Sequence, residues 1–308
     1  MPLTYHAGQL EVQTEANTRP VADMLRGWVG PLGEFTLGAD MIVLAAQVDG
    51  AFEFATLSGE APLVEPAGGT SLQFPAPMFA PPSDGDTRLV GGIAISLADR
   101  RRARINGEMT CDYEPLLTAH EGFTNCRKYI IPSLALEDAM HLGPQAKEDV
   151  AFDDAWLADV IARCETSFLA SISPEGQPDV SHRGGPAGFL HLDAASSRLS
   201  WDEYVGDGML KSGGNVRACS ELALLVIDLD TGDAAQLNGR GVFTVTLREK
   251  KPRTDGLLQV RDPYPVQAQM AVELASAQRL RGLILPRRKI EKTGRLTCAD
   301  TTDEQAPQ

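Results

Sequence analysis

The hydrophobic and polar positions of this chain fall into short runs that end at turn residues, a pattern typical of antiparallel strands. The stretch VLAAQVDGAFEFATLSG, residues 43–59, reads as an apolar strand, a turn at Asp49-Gly50 and a second strand that ends at glycine. The stretch FLASISPEGQPDVSHRG, residues 168–184, follows the same plan, with its turn at Glu175-Gly176. Both stretches predict β-hairpins.

A second pair of matching stretches follows the first. Residues 95–107, ISLADRRRARING, and residues 227–239, IDLDTGDAAQLNG, share Ile, Leu, Ala, Asn and Gly at the same places without a gap. Two matches in the same order favour duplication of a β-hairpin domain over chance. We therefore expect a mainly β fold in two tandem halves, each a closed or sandwiched antiparallel sheet.

Helix signals are few. Residues 153–164, DDAWLADVIARC, predict one helix, because aspartates precede a run that places its apolar residues on one face. Residues 132–150 read as a linker interrupted by Pro132, Gly143 and Pro144, which predicts a first domain of residues 1–133 and a second of residues 134–308. The proline-rich loop PAPMFAPPSDGD, residues 75–86, predicts neither helix nor ladder strand.

Composition and charge exclude several classes of protein. Of the 308 residues, 43% are hydrophobic and 23% charged, as in ordinary globular proteins. The net charge of −14 argues against a nucleic-acid partner. No apolar run approaches the roughly 20 residues of a membrane span, and the five cysteines are odd in number and far apart. We expect a cytoplasmic protein without a membrane partner.

Common catalytic motifs are missing from the sequence. It has no GxxxxGK[ST], no GxGxxG after a strand, no GxSxG and no HExxH. His120, Glu121 and His141 are too scattered to suggest a metal site and are interpreted as surface residues. We therefore predict no metal site and assign no catalytic residue.

One constellation remains, and it lies only in the second half. Ser181, His182 and Arg183 end a strand, and Gly184 and Gly185 follow. The stretch WDEYVGDGMLKSGGN, from residue 201, adds two aromatic residues and a glycine-rich turn, followed by lysine, serine, two more glycines and asparagine. Cationic and hydroxyl donors beside exposed backbone N–H groups suit a phosphate, and the aromatic rings could flank a planar group.

The first half offers an internal comparison for these residues. The sequence aligns Thr56-Leu57-Ser58-Gly59 with Ser181-His182-Arg183-Gly184. The scaffold is retained between the copies and the charge is not. This difference favours a ligand over a plain strand-end turn.

The same segments resemble the pyridoxamine 5′-phosphate oxidase-like family of FMN-binding split β-barrels. The resemblance rests on SHRGGPAGF, WDEYVGDGMLKSGGN, ALLVID and QLNGRG, and YHAGQLEVQTEA and NCRKYI resemble the tandem members of the family. It implies two tandem antiparallel split barrels of Greek-key type with a few short helices. It also implies FMN bound between the barrels.

Site residues follow from this resemblance. It implies that Arg183, Lys211 and Ser212 hold the phosphate with support from Asn215, and that Ser181, His182, Gly184 and Gly185 line the ribityl chain and ring edge. Trp201, Tyr204 and Gln236 occupy further contact positions. His182 could supply a positive group near the flavin ring.

The resemblance leaves the activity open. The stretch LPRRKIEKTGRLTC, residues 285–298, lacks the substrate-binding signature of true pyridoxamine phosphate oxidases. The implied function is an FMN-dependent oxidoreductase that takes a small-molecule substrate or a reduced nicotinamide donor. The alternatives are a non-catalytic or stress-related flavin-binding protein and the same fold binding haem or deazaflavin. The first half would act as the second protomer of an internal pseudo-dimer, with pairing of whole chains into a homodimer left open.

Overall fold

The computed structural model describes residues 3–24, 32–83, 85–206, 208–246 and 262–290, with the backbone alone for residues 32–34. The helices in these ranges are α1 Ala7–Glu15, α2 Arg19–Met24, α3 Leu32–Leu37, α4 Ala155–Arg163 and α5 Lys211–Cys219. Helix α4 confirms the helix predicted from residues 153–164. Its N-cap is Asp154, whose side chain accepts from the backbone N–H groups of Trp156 and Leu157.

Strands make up most of the described chain. They are β1 Met41–Val48, β2 Ala51–Ser58, β3 Glu65–Pro66, β4 Ser71–Gln73, β5 Thr87–Ser96, β6 Arg101–Thr110, β7 Leu116–Asn125, β8 Ser133–Ala135, β9 His141–Gly143, β10 Ala146–Asp149, β11 Thr166–Ile172, β12 Pro178–Gly184, β13 Leu190–Asp193, β14 Arg198–Tyr204, β15 Glu221–Ile227, β16 Ala234–Val245, β17 Val266–Arg281 and β18 Arg287–Lys289.

The strands form two large sheets with the same strand order. The first runs β3-β4-β7-β6-β5-β1-β2, with β9 added at the β2 edge, and the second runs β13-β14-β17-β16-β15-β11-β12, with β10 paired to β17. The pairs within both sheets are antiparallel. The prediction of a mainly β fold in two antiparallel halves with few helices is confirmed.

Strand registers fix which residues of the two halves are equivalent. Each sheet has a bulge opposite an Asn-Gly pair: His120 is the extra residue of β7 opposite Asn106 and Gly107, and Ala275 is the extra residue of β17 opposite Asn238 and Gly239. Bulges are usually retained among related sheets. When the bulges of the two sheets are superimposed, the strands on either side of them are superimposed as well. The equivalences used below follow from this alignment.

This register corrects the sequence alignment of the two hairpins by one residue. Val43 and Phe168 hold the same position against β5 and β15. Val43 lies opposite Thr56, and Phe168 lies opposite His182. Thr56 is therefore the equivalent of His182, and the alignment of His182 with Leu57 is wrong. Because successive strand residues face opposite sides, a shift of one residue exchanges the two faces.

Apolar residues form three separate cores. One lies against each sheet, and a third lies between the two halves. Burying a side chain as large as that of Phe168 contributes about 1.5–3 kcal/mol relative to leaving it exposed, so the third core holds the halves together. Representative members are Leu44 and Phe74 in the first half, Leu169 and Trp201 in the second, and Phe168 and Leu225 between them.

The segment interpreted as a linker connects both sheets. Strand β9 pairs with β2 of the first sheet, β10 pairs with β17 of the second, and β8 pairs with β18. The domain boundary between residues 133 and 134 stays a prediction. Among the described residues, no helix is long and apolar enough to cross a membrane.

Helix α5 begins at Lys211, directly after the segment in which the sequence predicts a glycine-rich turn. Its glycines allow a close crossing with α1, because a Cβ on Gly214 would lie 2.4 Å from the Cα of Gln9. A Cβ on Gly8 would lie 2.7 Å from the carbonyl oxygen of Gly214. A helix forms on KSGGN because tertiary packing outweighs the low helix propensity of this segment.

Candidate functional site

A cleft of about 750 Å³, its open mouth included, lies between the two halves. The second half supplies β12, the end of β14 and the start of α5, and the first half supplies β5, β6 and the segment that follows β7. Both halves therefore contribute walls to one cleft.

Most of the predicted site residues line this cleft. Those that do are Ser181, His182, Arg183, Gly184, Tyr204, Lys211 and Ser212. The lining does not include Gly185, Trp201, Asn215 or Gln236. Strand β12 and the start of α5, distant in sequence, therefore meet at one place.

A guanidinium and two hydroxyl groups converge at the floor of the cleft. Nη1 of Arg183 donates to Oγ of Ser181 at 2.7 Å, and that hydroxyl lies 2.7 Å from Oγ of Ser212. Nε of Arg183 donates to Oε1 of Glu203 at 2.7 Å. The Arg183 side chain is 17% exposed, and its Nη2 has no hydrogen-bond partner in the described part of the chain. One face of the guanidinium fork is thus available to a ligand.

The N-terminus of α5 lies beside these groups. The N-cap residue Leu210 has φ 49° and ψ 30°, and no described side chain caps the first turn. Leu210, Lys211, Ser212 and Gly213 all line the cleft. First-turn N–H groups and the helix dipole favour an anion at such a position.

Lys211 is engaged by a carboxylate from the other half. Its Nζ lies 2.6 Å and 2.7 Å from the two carboxylate oxygens of Glu121 on β7. The lysine side chain is 9% exposed. Lys211 is therefore at the predicted place but already has a resident counter-ion.

The opposite wall carries two arginines of β6 that the sequence reasoning missed. Arg102 and Arg104 both line the cleft, and their equivalents in β16 are Ala234 and Gln236. The signal was present in RRRARING, because residues two apart on a strand share a face. The repeat match alone predicts a strand for this segment and assigns no role to its arginines.

His182 is neutral, which corrects the suggestion that it supplies positive charge. Burial lowers its pKa well below the ordinary value, and the nearby Arg102 and Arg183 lower it further. Nη1 of Arg102 lies 2.6 Å from Nδ1 of His182. Since a guanidinium can only donate, Nδ1 accepts and the proton resides on Nε2. The positive charge in direct contact with the His182 imidazole is therefore that of Arg102.

Trp201 lies in the core of the second half and not on the cleft. It occupies the place that Phe74 holds in the core of the first half. Its indole Nε1 donates to Oε1 of Glu203 at 2.9 Å. Trp201 therefore holds the carboxylate that orients Arg183.

Asn215 and Gln236 make contacts that bind parts of the chain together. Oδ1 of Asn215 accepts from His6 at 2.8 Å and from Gln9 at 2.9 Å, which fastens α1 onto α5. Nε2 of Gln236 donates to the carbonyl oxygen of Phe52 across the two halves at 2.8 Å. Both residues lie away from the cleft lining, so any contact with a ligand stays a prediction.

At Gly184 and Gly185, which follow Arg183, other parts of the protein pack too closely for a side chain. A Cβ on Gly184 would lie 1.9 Å from the carbonyl oxygen of Tyr129, and one on Gly185 would lie 2.8 Å from the ring of Phe189. Tyr129 belongs to the segment NCRKYI that follows β7. Gly184 thus admits the first half to the edge of the cleft.

Three tyrosines form a cluster at the cleft. The ring centroids of Tyr129 and Tyr204 are 5.4 Å apart, and Tyr264 lies 5.8 Å from Tyr129 and 5.2 Å from Tyr204. The hydroxyl of Tyr129 donates to the carbonyl oxygen of Val205 at 2.9 Å. Tyr204 lines the cleft as predicted, and Tyr129 joins it from the first half.

The equivalent place on the other side of the molecule is filled by protein. Thr56, the equivalent of His182, donates to the carbonyl oxygen of Leu283 at 2.8 Å. Oγ of Ser58 accepts from the backbone N–H of Leu285 at 3.3 Å. Strand β9 pairs along β2 at the same edge. The two halves share a strand order, yet only one of the two equivalent places remains an open cleft.

Comparisons with known proteins give structural matches only. No protein-family model matches the sequence, and no curated protein matches it. A pyridoxamine 5′-phosphate oxidase-related, FMN-binding protein of Nostoc punctiforme is 10% identical, with 46% of this chain and 90% of that chain covered and a TM-score of 0.30. An F420 reductase is 15% identical over 39% of this chain and 93% of its own, with a TM-score of 0.27.

A further match is HupZ of Group A Streptococcus. It is 15% identical, with 39% of this chain and 86% of that chain covered and a TM-score of 0.28. The matched structures thus include pyridoxamine 5′-phosphate oxidase-like FMN-binding proteins, the family named by the sequence resemblance, and each covers less than half of this chain. TM-scores and identities this low carry no argument about ligand or activity.

Proposed function

We propose that the cleft binds one FMN per chain and that the protein is a flavin-dependent oxidoreductase acting on a small organic substrate. The observation that carries this proposal is the convergence of Arg183, the Ser181–Ser212 hydroxyl pair and the uncapped start of α5 at the floor of a cleft between the two halves. These are the donor types that bind a phosphate.

The charge of the cleft supports an anionic ligand. Among the described residues, the cationic side chains that line it are those of Arg102, Arg104, Arg183 and Lys211, and the carboxylate that lines it is that of Glu203. Arg183 would hold the phosphate through its outer nitrogens, Ser181 and Ser212 through their hydroxyls, and α5 through first-turn N–H groups. Lys211 would contribute once its ammonium turns from Glu121 toward the phosphate.

The first half would contribute charge beside the rest of the ligand. Arg102 presents a fixed positive charge opposite Arg183, and such a charge favours electron density on the ligand atoms next to it. When bound, FMN supplies the hydride and electron transfer that amino-acid side chains cannot. The tyrosine cluster would cover one side of a planar ring system.

The two halves are proposed to be a duplicated unit that forms an internal pseudo-dimer. Their common strand order and their bulges at equivalent Asn-Gly pairs support this. One copy keeps the phosphate donors on β12, and the other keeps the arginines on β6. Each copy therefore supplies the wall that the other lacks.

Identification of the bound chromophore tests which ligand the cleft holds. The purified protein should show flavin absorbance bands and release FMN on denaturation, identified by chromatography and mass. A released deazaflavin, or a Soret band from haem, would replace FMN with that ligand. A colourless protein that takes up none of the three on titration would refute the proposal.

Reduction tests the enzymatic part. Under anaerobic conditions, NADH or NADPH should bleach the flavin bands, and a candidate acceptor should restore them. A bound flavin that resists both nicotinamides and a panel of small organic donors would leave a flavin-binding protein without oxidoreductase activity.

A further inference from the structure

A second cavity, of about 430 Å³ with its mouth included, lies on the other side of the Lys211–Glu121 ion pair. Lys211 lines both this cavity and the cleft. The ion pair therefore forms part of the partition between the two spaces. The other walls come from β5, β6, β7, β12 and α1.

The polar walls of the second cavity are rich in acceptors. Asp179 is 2% exposed, and its Oδ1 is contacted by Arg104 at 3.1 Å and by Asn106 at 2.9 Å. Its Oδ2 has no hydrogen-bond partner in the described part of the chain. Burial acts to raise the pKa of Asp179, but Arg104 and Lys211 outweigh it and hold the pKa below the ordinary value. Asp179 is therefore ionised at neutral pH.

The bulge itself does not require an acidic residue at Glu121. Glu121 and His120 lie in the bulge of the first sheet, and Ser276 and Ala275 hold the equivalent places in the second. The second bulge forms with neutral residues, so the charge at Glu121 serves its contact with Lys211 and not the bulge.

Glu121 lines the second cavity and pairs with Lys211, which lines both spaces. In the structure both of its carboxylate oxygens accept from Lys211, and Oε2 also accepts from Asn106 at 3.0 Å. An anion in the cleft that attracts Lys211 would leave Glu121 partly buried without its counter-ion, which is unfavourable. A cation in the second cavity would restore the balance.

We propose that the second cavity binds a small organic cation, a primary ammonium, against Glu121 and Asp179, and that this binding is positively coupled to a phosphate group in the cleft through the Lys211–Glu121 ion pair. The coupling rests on the proposed phosphate site, and the cation site does not. By linkage, each ligand strengthens the other by the same factor.

Calorimetric titration at constant ionic strength tests both parts. Propylammonium should bind the protein and the neutral 1-propanol should not. Saturating inorganic phosphate should lower the propylammonium Kd by about 5- to 150-fold, the usual range of coupling between sites. Equal binding of the alcohol overturns the cation site. An unchanged Kd in phosphate overturns the coupling, and failure of phosphate itself to bind sinks the proposed phosphate site as well.

Substitution of Glu121 separates this role from a structural one. Glu121→Gln should weaken propylammonium binding by about tenfold or more, the scale of one charged hydrogen bond, and should strengthen phosphate binding because Lys211 loses its competitor. A purely structural role would weaken both ligands. Glu273→Gln, an exposed change on β17 with the same loss of charge, should alter neither.

Asp179→Asn provides a second test of the cavity. It keeps the shape of the side chain and should also weaken propylammonium, and its thermal midpoint shows whether the fold survives. Unchanged propylammonium affinity in folded Glu121→Gln and folded Asp179→Asn proteins would overturn the cation site.

Discussion

Arg183→Ala removes the donor on which the phosphate proposal most depends. The guanidinium is 17% exposed, and its outer nitrogen faces a cleft lined by the start of α5. A hydrogen bond from a charged group contributes about 1.5–3 kcal/mol, so losing one should raise the FMN Kd by about 10- to 150-fold. Flavin fluorescence on titration of the flavin-free protein measures that Kd.

The same change also disturbs the protein, and this part must be separated. Glu203 is 7% exposed and loses the Arg183 contact while keeping the one from Trp201. Leaving such a group underpaired should cost about 1–3 kcal/mol of unfolding free energy, measured by urea unfolding. Binding should therefore be compared under conditions where both proteins are fully folded.

Arg279→Ala is the matched control for Arg183→Ala. Arg279 is 22% exposed and pairs with Asp233 at 2.6 Å, far from the cleft lining. It should lower the free energy of unfolding comparably and leave the FMN Kd unchanged. Equal FMN affinity in wild-type and Arg183→Ala proteins, or an equal loss of affinity in both variants, would refute the phosphate assignment.

Three further outcomes are expected. Flavin released per chain should approach one, because Leu283 and Leu285 contact the equivalent place; a ratio of two, by absorbance and protein concentration, would contradict this. His182 stays neutral in the folded protein, whereas in the unfolded chain it takes up a proton near pH 6.5, so the free energy of unfolding decreases as pH falls below about 6.5. His182→Gln should therefore reduce the change of the urea midpoint between about pH 7 and 5, and the control His191→Gln should not. Gly214→Ala should cost about 1–3 kcal/mol of unfolding free energy by overpacking α1, whereas Gly85→Ala, where a Cβ meets nothing within 4 Å, should cost little.

The fold was largely predictable because strand alternation and turn residues are local signals. The hairpins at residues 43–59 and 168–184 became β1–β2 and β11–β12, and the capped apolar run became α4. The register between the copies was not predictable in the same way. A shared glycine aligned the sequences, but the longer turn before β12 moves its residues by one position.

The candidate site was predictable on one wall only. The charged residues of β12 and α5 stood out beside glycines and hydroxyl residues, whereas Arg102 and Arg104 were hidden within a repeat match. The second wall was missed because His182 and Arg102 are far apart in the sequence. They come into contact only when the two halves pack through their shared core. Trp201 was misjudged because a buried core aromatic and a ligand platform look the same in a sequence.

The two walls of the cleft point to a division of labour between the halves. Equivalent positions differ in a reciprocal way: β12 carries Arg183 where β2 carries Leu57, and β6 carries Arg102 where β16 carries Ala234. A symmetric pair would present the same residues at both places. Here charge is concentrated at one place, while backbone from residues 283–285 contacts β2 at the other. Neither half has both walls, so an isolated half should bind the ligand weakly even if it folds.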